Sequence, residues 1–238
     1  AEVLVGAGFV VCAFDLPGHG ESEGQRAFVP SAPAAIDDAV AALEAARAMH
    51  AGLPTILVGS SMGGALSVQV SLRAPVDGLV LLAPMLAIKL SPVLLNVLWI
   101  LSYSPISRLP LIASNSTSPR AQYADPDRRD ACVNDLLAYS GKMHPATAYA
   151  CVDLARDTRS RLSEVSVPFL LLLAGNEHVV DNCGADELAS NAKTPQEERC
   201  VRRFEGALHG LLCEPQPRRG EIEAAIAEWA VCRVKGGP

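Results

Sequence analysis

TILVGSSMGG, residues 55–64, decides the reading of this chain. Thr55 to Ser60 is a short apolar run of the buried-strand type, and a helix is predicted from 62 to about 73. Between them, Gly59-Ser60-Ser61-Met62-Gly63 has the form G-x-S-x-G. An isolated match to that pattern carries little weight; a strand before it and a helix after it give it meaning. The chain must turn sharply there, so that the Ser61 oxygen projects from the carboxyl edge of a sheet. Glycines at both ends let strand and helix approach closely, and Gly64 extends the small-residue contact. The helix start then aims backbone N–H groups and a positive dipole end at developing negative charge. Ser61 is the candidate nucleophile, and the Met62 N–H is the candidate donor to an oxyanion. Ser60 stands one residue out of phase and is read as a neighbour.

Outward from this stretch, strand-like and helix-like segments alternate. GFVVCAF (8–14) reads as a strand ending at the loop Asp15-Leu16-Pro17-Gly18. Residues 31–50 read as a helix, with Ile36, Val40 and Leu43 on one stripe and Ser31 as a candidate cap. VDGLVLLAP (76–84) and VPFLLLLAG (167–175) are near-continuous apolar runs, as expected where both faces of a parallel sheet are covered. RCVRRFEG (199–206) is a more polar strand, suited to a sheet edge. A helix from Arg219 to about Arg233 closes the pattern. From 85 to 162 the alternation stops, and that stretch reads as a helical cap over a core made of 1–84 and 163–238. The expected fold class is α/β, a doubly wound, mostly parallel sheet with a helical cap insertion.

Composition narrows the function. Half of the 238 residues are hydrophobic, enough for a sizeable core, and the net charge is −6. With no Lys/Arg stripe to meet phosphates, a nucleic-acid partner is not expected. The seven cysteines are odd in number and lack CxxC spacing, which suits free thiols in a reducing compartment. MLAIKLSPVLLNVLWIL (85–101) is the longest apolar stretch. It is short for a bilayer span and is broken by Lys89, Pro92 and Asn96, so it reads as a cap helix or a lipid-contacting surface.

A serine needs a base before it can attack. A G-x-S-x-G elbow between strand and helix points to the α/β-hydrolase arrangement, whose chain order is nucleophile, acid, histidine. His19 and His50 precede Ser61, and His144 falls in the cap. His209 follows the last predicted strand, in Gly206-Ala207-Leu208-His209-Gly210, where a loop returns it over the sheet. The acid is expected after strand 167–174, in Gly175-Asn176-Glu177-His178-Val179-Val180-Asp181. Glu177 and Asp181 both remain candidates to orient His209 and stabilise its imidazolium form. Cys183 and Cys213 lie near these loops and are read as buried, inert thiols.

With these residues in hand, the chain resembles monoacylglycerol lipases and their lysophospholipase-like relatives, serine hydrolases of the α/β-hydrolase superfamily. The matching stretches are AFDLPGHGESEG (13–24), VGSSMGGALS (58–67), VLLAPML (80–86), VPFLLLLAG (167–175) and FEGALHGLLCEP (204–215). The resemblance implies hydrolysis of carboxylic esters of lipids, a monoacylglycerol or a lysophospholipid, through an acyl-enzyme on Ser61 with His209 as base. A general carboxylesterase or an acyltransferase would use the same site. The family's acid loop reads GxxDxVxD; with one residue deleted, Glu177 takes the catalytic place and Asp181 is the reserve. No metal or organic cofactor is implied. The cap around Val93 to Leu101 offers an acyl tunnel or a peripheral membrane contact, with a cytoplasmic or membrane-peripheral location. Relatives carry an HG-containing oxyanion loop after an earlier strand, and His19-Gly20 belongs to the next loop, with a structural role. The expectation is therefore an N-terminally truncated copy, which would make an inactive fragment the third reading.

Overall fold

The computed structural model describes residues 1–236. In chain order the elements are α1 (Glu2–Gly6), α2 (Ala32–Met49), β1 (Ile56–Ser60), α3 (Met62–Ser71), β2 (Gly78–Leu82), α4 (Pro92–Ser102), α5 (Pro119–Gln122), α6 (Pro126–Asn134), α7 (Pro145–Ser160), β3 (Phe169–Ala174), α8 (Cys183–Asn191), β4 (Arg199–Phe204) and α9 (Arg218–Val234). Among the described residues the strands form one parallel sheet in the order β1-β2-β3-β4. Parallel neighbours need a crossover, and each one here contains a helix.

The apolar runs of β2 and β3 are buried throughout because helices cover both faces. Alternate residues face opposite cores. Leu79, Leu81, Phe169, Leu171 and Leu173 pack with Ile36 and Leu43 of α2, Val68 of α3 and Leu188 of α8. Val80, Leu82, Leu170 and Leu172 pack with Ile222 and Ile226 of α9. Ser31 caps α2, its hydroxyl accepting from the Ala34 N–H at 3.3 Å, as the sequence predicts. Helix α7 faces two ways: Ala150, Leu154 and Ala155 enter the first core, whereas Ala148 and Val152 meet Leu98 of α4.

The sequence predicts a fifth strand at 8–14, and the structure corrects this. Those residues form no ladder, and Val10, Val11 and Phe14 are exposed. β-propensity describes how a side chain fits a half-buried pleated surface, so it makes no strand where none is offered. Strand β1 consequently has β2 as its sole ladder partner among the described residues, and Val58 at its middle is 47% exposed.

Candidate active site

Ser61 occupies the single residue between β1 and α3, with φ 52° and ψ −118°. That conformation is strained for any residue with a Cβ. It is held on both sides: the Ser61 N–H donates to Leu82 O at 2.9 Å, and Ser61 O accepts from the Met85 and Gly64 N–H groups at 2.9 and 3.0 Å. The crossing of strand and helix explains Gly59. A Cβ there would lie 2.2 Å from Gly63 O and 2.5 Å from Ser67 Oγ. Met62 is the first residue of α3, so its N–H belongs to the first-turn donors that a helix cannot satisfy internally.

His209 lies on the loop after β4 and is 2% exposed. Its Nδ1 is 2.8 Å from Glu177 Oε2, and the two side chains are 3% and 4% exposed. The other carboxylate oxygen, Oε1, accepts the Val179 and Val180 N–H groups at 2.8 and 3.3 Å. Burial pushes the Glu177 carboxyl up. His209 and those two N–H groups outweigh it and leave the carboxyl below its ordinary value. A carboxylate accepts only, so Nδ1 carries the proton, and the neutral ring is left with Nε2 as a free base.

Asp181 goes elsewhere. Its Oδ1 accepts the Cys183 N–H at 3.1 Å at the start of α8, its Oδ2 is 3.4 Å from Lys89 Nζ, and its own N–H bonds Ala87 O at 2.9 Å. The structure thus brings Glu177, not Asp181, to His209. Ser61, Glu177 and His209 follow β1, β3 and β4, so all three stand at the carboxyl edge of the parallel sheet. Among the described residues no hydrogen bond joins Ser61 Oγ to His209, whose ring is held by Glu177.

Other sequence candidates take structural places. His19 Nδ1 bonds Pro17 O at 3.0 Å, within a loop closed by Asp15 on the Glu21 N–H at 3.0 Å. His144 is buried where the cap meets the 15–29 loop, 3.1 Å from Gln25 Nε2. His178 is exposed, and its carbonyl accepts from Asn115 of the cap at 2.9 Å. Burial pushes the Cys183 and Cys213 thiols up, which keeps them protonated at neutral pH. Among the described residues no three His, Cys, Asp or Glu side chains gather to hold a metal ion.

Sequence reasoning missed the supports of the loop that carries His209. Gly210 N–H donates to Gln122 O at the end of α5 at 2.8 Å, and Asp125 N–H donates to Cys213 O at 3.1 Å. The Tyr123 ring between them presses on Gly210, where a Cβ would lie 2.5 Å from its Cδ1. Glu214 is 1% exposed and also meets this loop. Its only sequence signal is a carboxylate in an apolar surrounding, LLCEP at 211–215.

Residues 1–216 match the family model described as serine aminopeptidase, S33. The human monoglyceride lipase is 28% identical over 241 residues, covering 96% of this chain and 75% of that protein. Among solved structures, a monoacylglycerol lipase from Paleococcus ferrophilus superposes with a TM-score of 0.82 at 25% identity, covering 98% of this chain and 87% of that one. A thermostable carboxyl esterase from Bacillus coagulans gives 0.75 at 18% identity, covering 98% and 84%, and shares the fold.

Proposed function

The chain belongs to the serine aminopeptidase S33 family of α/β-hydrolases, and from that premise we propose that it hydrolyses carboxylic esters of lipids, with a monoacylglycerol as the favoured substrate. The observation that carries the reading is the buried His209–Glu177 pair at 2.8 Å, on the same sheet edge as a serine held at positive φ. The names of the human and Paleococcus relatives support the substrate class.

In this reading Ser61 Oγ attacks the ester carbonyl while His209 Nε2 takes its proton. Glu177 holds the imidazole in the required tautomer and stabilises the imidazolium that forms. The oxyanion is met by the Met62 N–H at the start of α3, which is fixed in place before reaction. His209 returns the proton to the leaving alcohol, and water then repeats the cycle on the Ser61 acyl-enzyme.

Exposed apolar side chains in the stretch 85–162 support a lipid-like substrate. Helix α4 exposes Val93, Val97, Trp99 and Ile100, with Tyr103 just beyond. No helix among the described residues is long and apolar enough to cross a membrane, so the proposed contact is peripheral.

The test is labelling with a fluorophosphonate, followed by assays on monoacylglycerol, lysophospholipid and short p-nitrophenyl esters, with Ser61→Ala as control. Labelling that vanishes in Ser61→Ala, with monoacylglycerol the preferred substrate, is the expected result. Labelling with equal rates on all esters would make it a general carboxylesterase. Labelling that persists in Ser61→Ala would remove Ser61 from the mechanism.

A further inference from the structure

We propose that Glu214 is a positioning residue for His209, a role that rests on reading His209 as the base. Three residues flanking His209 are tied to three different parts of the molecule. Ala207 O accepts the Asn176 N–H of the acid loop at 2.9 Å, and Gly210 N–H is held by Gln122 of the cap at 2.8 Å. The third tie is unlike the others. Leu208 N–H, one peptide before the histidine, donates to the side chain of Glu214 at Oε1, 2.8 Å away. Glu214 Oε2 accepts from Arg218 Nη1, also at 2.8 Å, and the Glu214 side chain is 1% exposed.

A turn needs no buried carboxylate to close it; a backbone carbonyl would serve without the cost of desolvating a charge. What the carboxylate adds is a second bond, through Arg218, that ties the loop to the start of the helix that follows it. Arg218 is the first residue of α9, and α9 is fixed to the sheet by Ile222 and Ile226. The line Leu208–Glu214–Arg218 therefore references the base loop to the core rather than to the cap. The Glu177 contact sets the orientation of the imidazole, while the Leu208 bond sets where along the sheet edge its Cα stands. Proton transfer is sensitive to that placement: a misplacement of about 1 Å can cost about 100-fold in rate.

The experiment compares Glu214→Gln with Glu214→Met, two side chains of similar length that differ in having an acceptor for Leu208. Readouts are kcat and KM on a soluble p-nitrophenyl ester, fluorophosphonate labelling rate and thermal midpoint. Glu214→Gln keeps an acceptor for Leu208 but sets an amide donor against Arg218, so kcat is expected to fall about 3–10-fold, as in Arg218→Met; Glu214→Met, which loses both bonds, is expected to lower kcat and labelling rate about 10–100-fold, with KM changed by less than about 2-fold. Wild-type kcat in folded Glu214→Met would overturn the proposal, as would an equal loss in both variants. If Glu214→Met does not fold, Arg218→Met at a more exposed position replaces it, with kcat expected to fall about 3–10-fold and unchanged kcat counting against. His209→Ala runs alongside. Wild-type activity in it would remove the base reading itself; its inactivity beside an unaffected Glu214→Met would remove only the role of Glu214.

Discussion

Glu177 uses both carboxylate oxygens, one on His209 and one on two backbone N–H groups. Burial works against its charge and these partners prevail, so its folded pKa lies below the ordinary value. A group depressed in this way adds stability above its unfolded pKa of about 4.3, and loses it as the pH falls through the folded value. Glu177→Gln cannot titrate. The stability gap between the two proteins should therefore be full at neutral pH and narrow as the pH falls below the unfolded value of about 4.3, closing only below the folded one, as read from thermal midpoints across the pH range. At neutral pH the substituted amide can still meet Nδ1 but can favour the wrong tautomer, so kcat should fall by about 10³–10⁴. Much of this site is legible in the sequence. Ser61 and His209 follow from an elbow motif and from chain order. Which carboxylate meets His209 is not legible from residue type, because Glu177 and Asp181 share one loop; their separation depends on which of them meets Lys89 and the start of α8. Glu214 and Gln122 are harder to read for a further reason: they act on the backbone of the loop that carries His209.

At the scale of elements, the sequence reads best where burial is complete. The runs at 76–84 and 167–175 become β2 and β3, all of whose residues are buried, and the helix at 31–50 ends within a residue of its predicted limits. It fails at 8–14, where the residue types suit a strand but no ladder receives them. A pattern reports what a segment can do, and the sheet decides whether it does. Helix α4 is legible as apolar, yet only the structure shows that Leu98 alone in its 11 residues is buried. Its outward residues make a prediction at this scale. Replacing Val93, Val97 and Ile100 with Ser removes apolar contact from an exposed face, about 1–2 kcal/mol per side chain when inserted in lipid. The triple variant should lose vesicle binding in a flotation assay by at least about 10-fold, while its rate on a soluble ester stays near wild type.

For the whole molecule, the conformation of Ser61 lowers stability. Its φ of 52° and ψ of −118° lie outside the left-handed helical well, where a side-chain-bearing residue costs about 1–3 kcal/mol. Glycine accepts that geometry at the expense of greater freedom in the unfolded chain. Ser61→Gly should therefore be more stable than Ser61→Ala by about 1 kcal/mol in urea unfolding, although both lack the hydroxyl. The same arithmetic bears on descent. In a lineage relieved of chemistry but still selected for stability, a change at position 61 to the residue that relaxes the turn would be favoured. A serine standing there carries a conformational cost that the fold by itself does not require, and a glycine would relieve it.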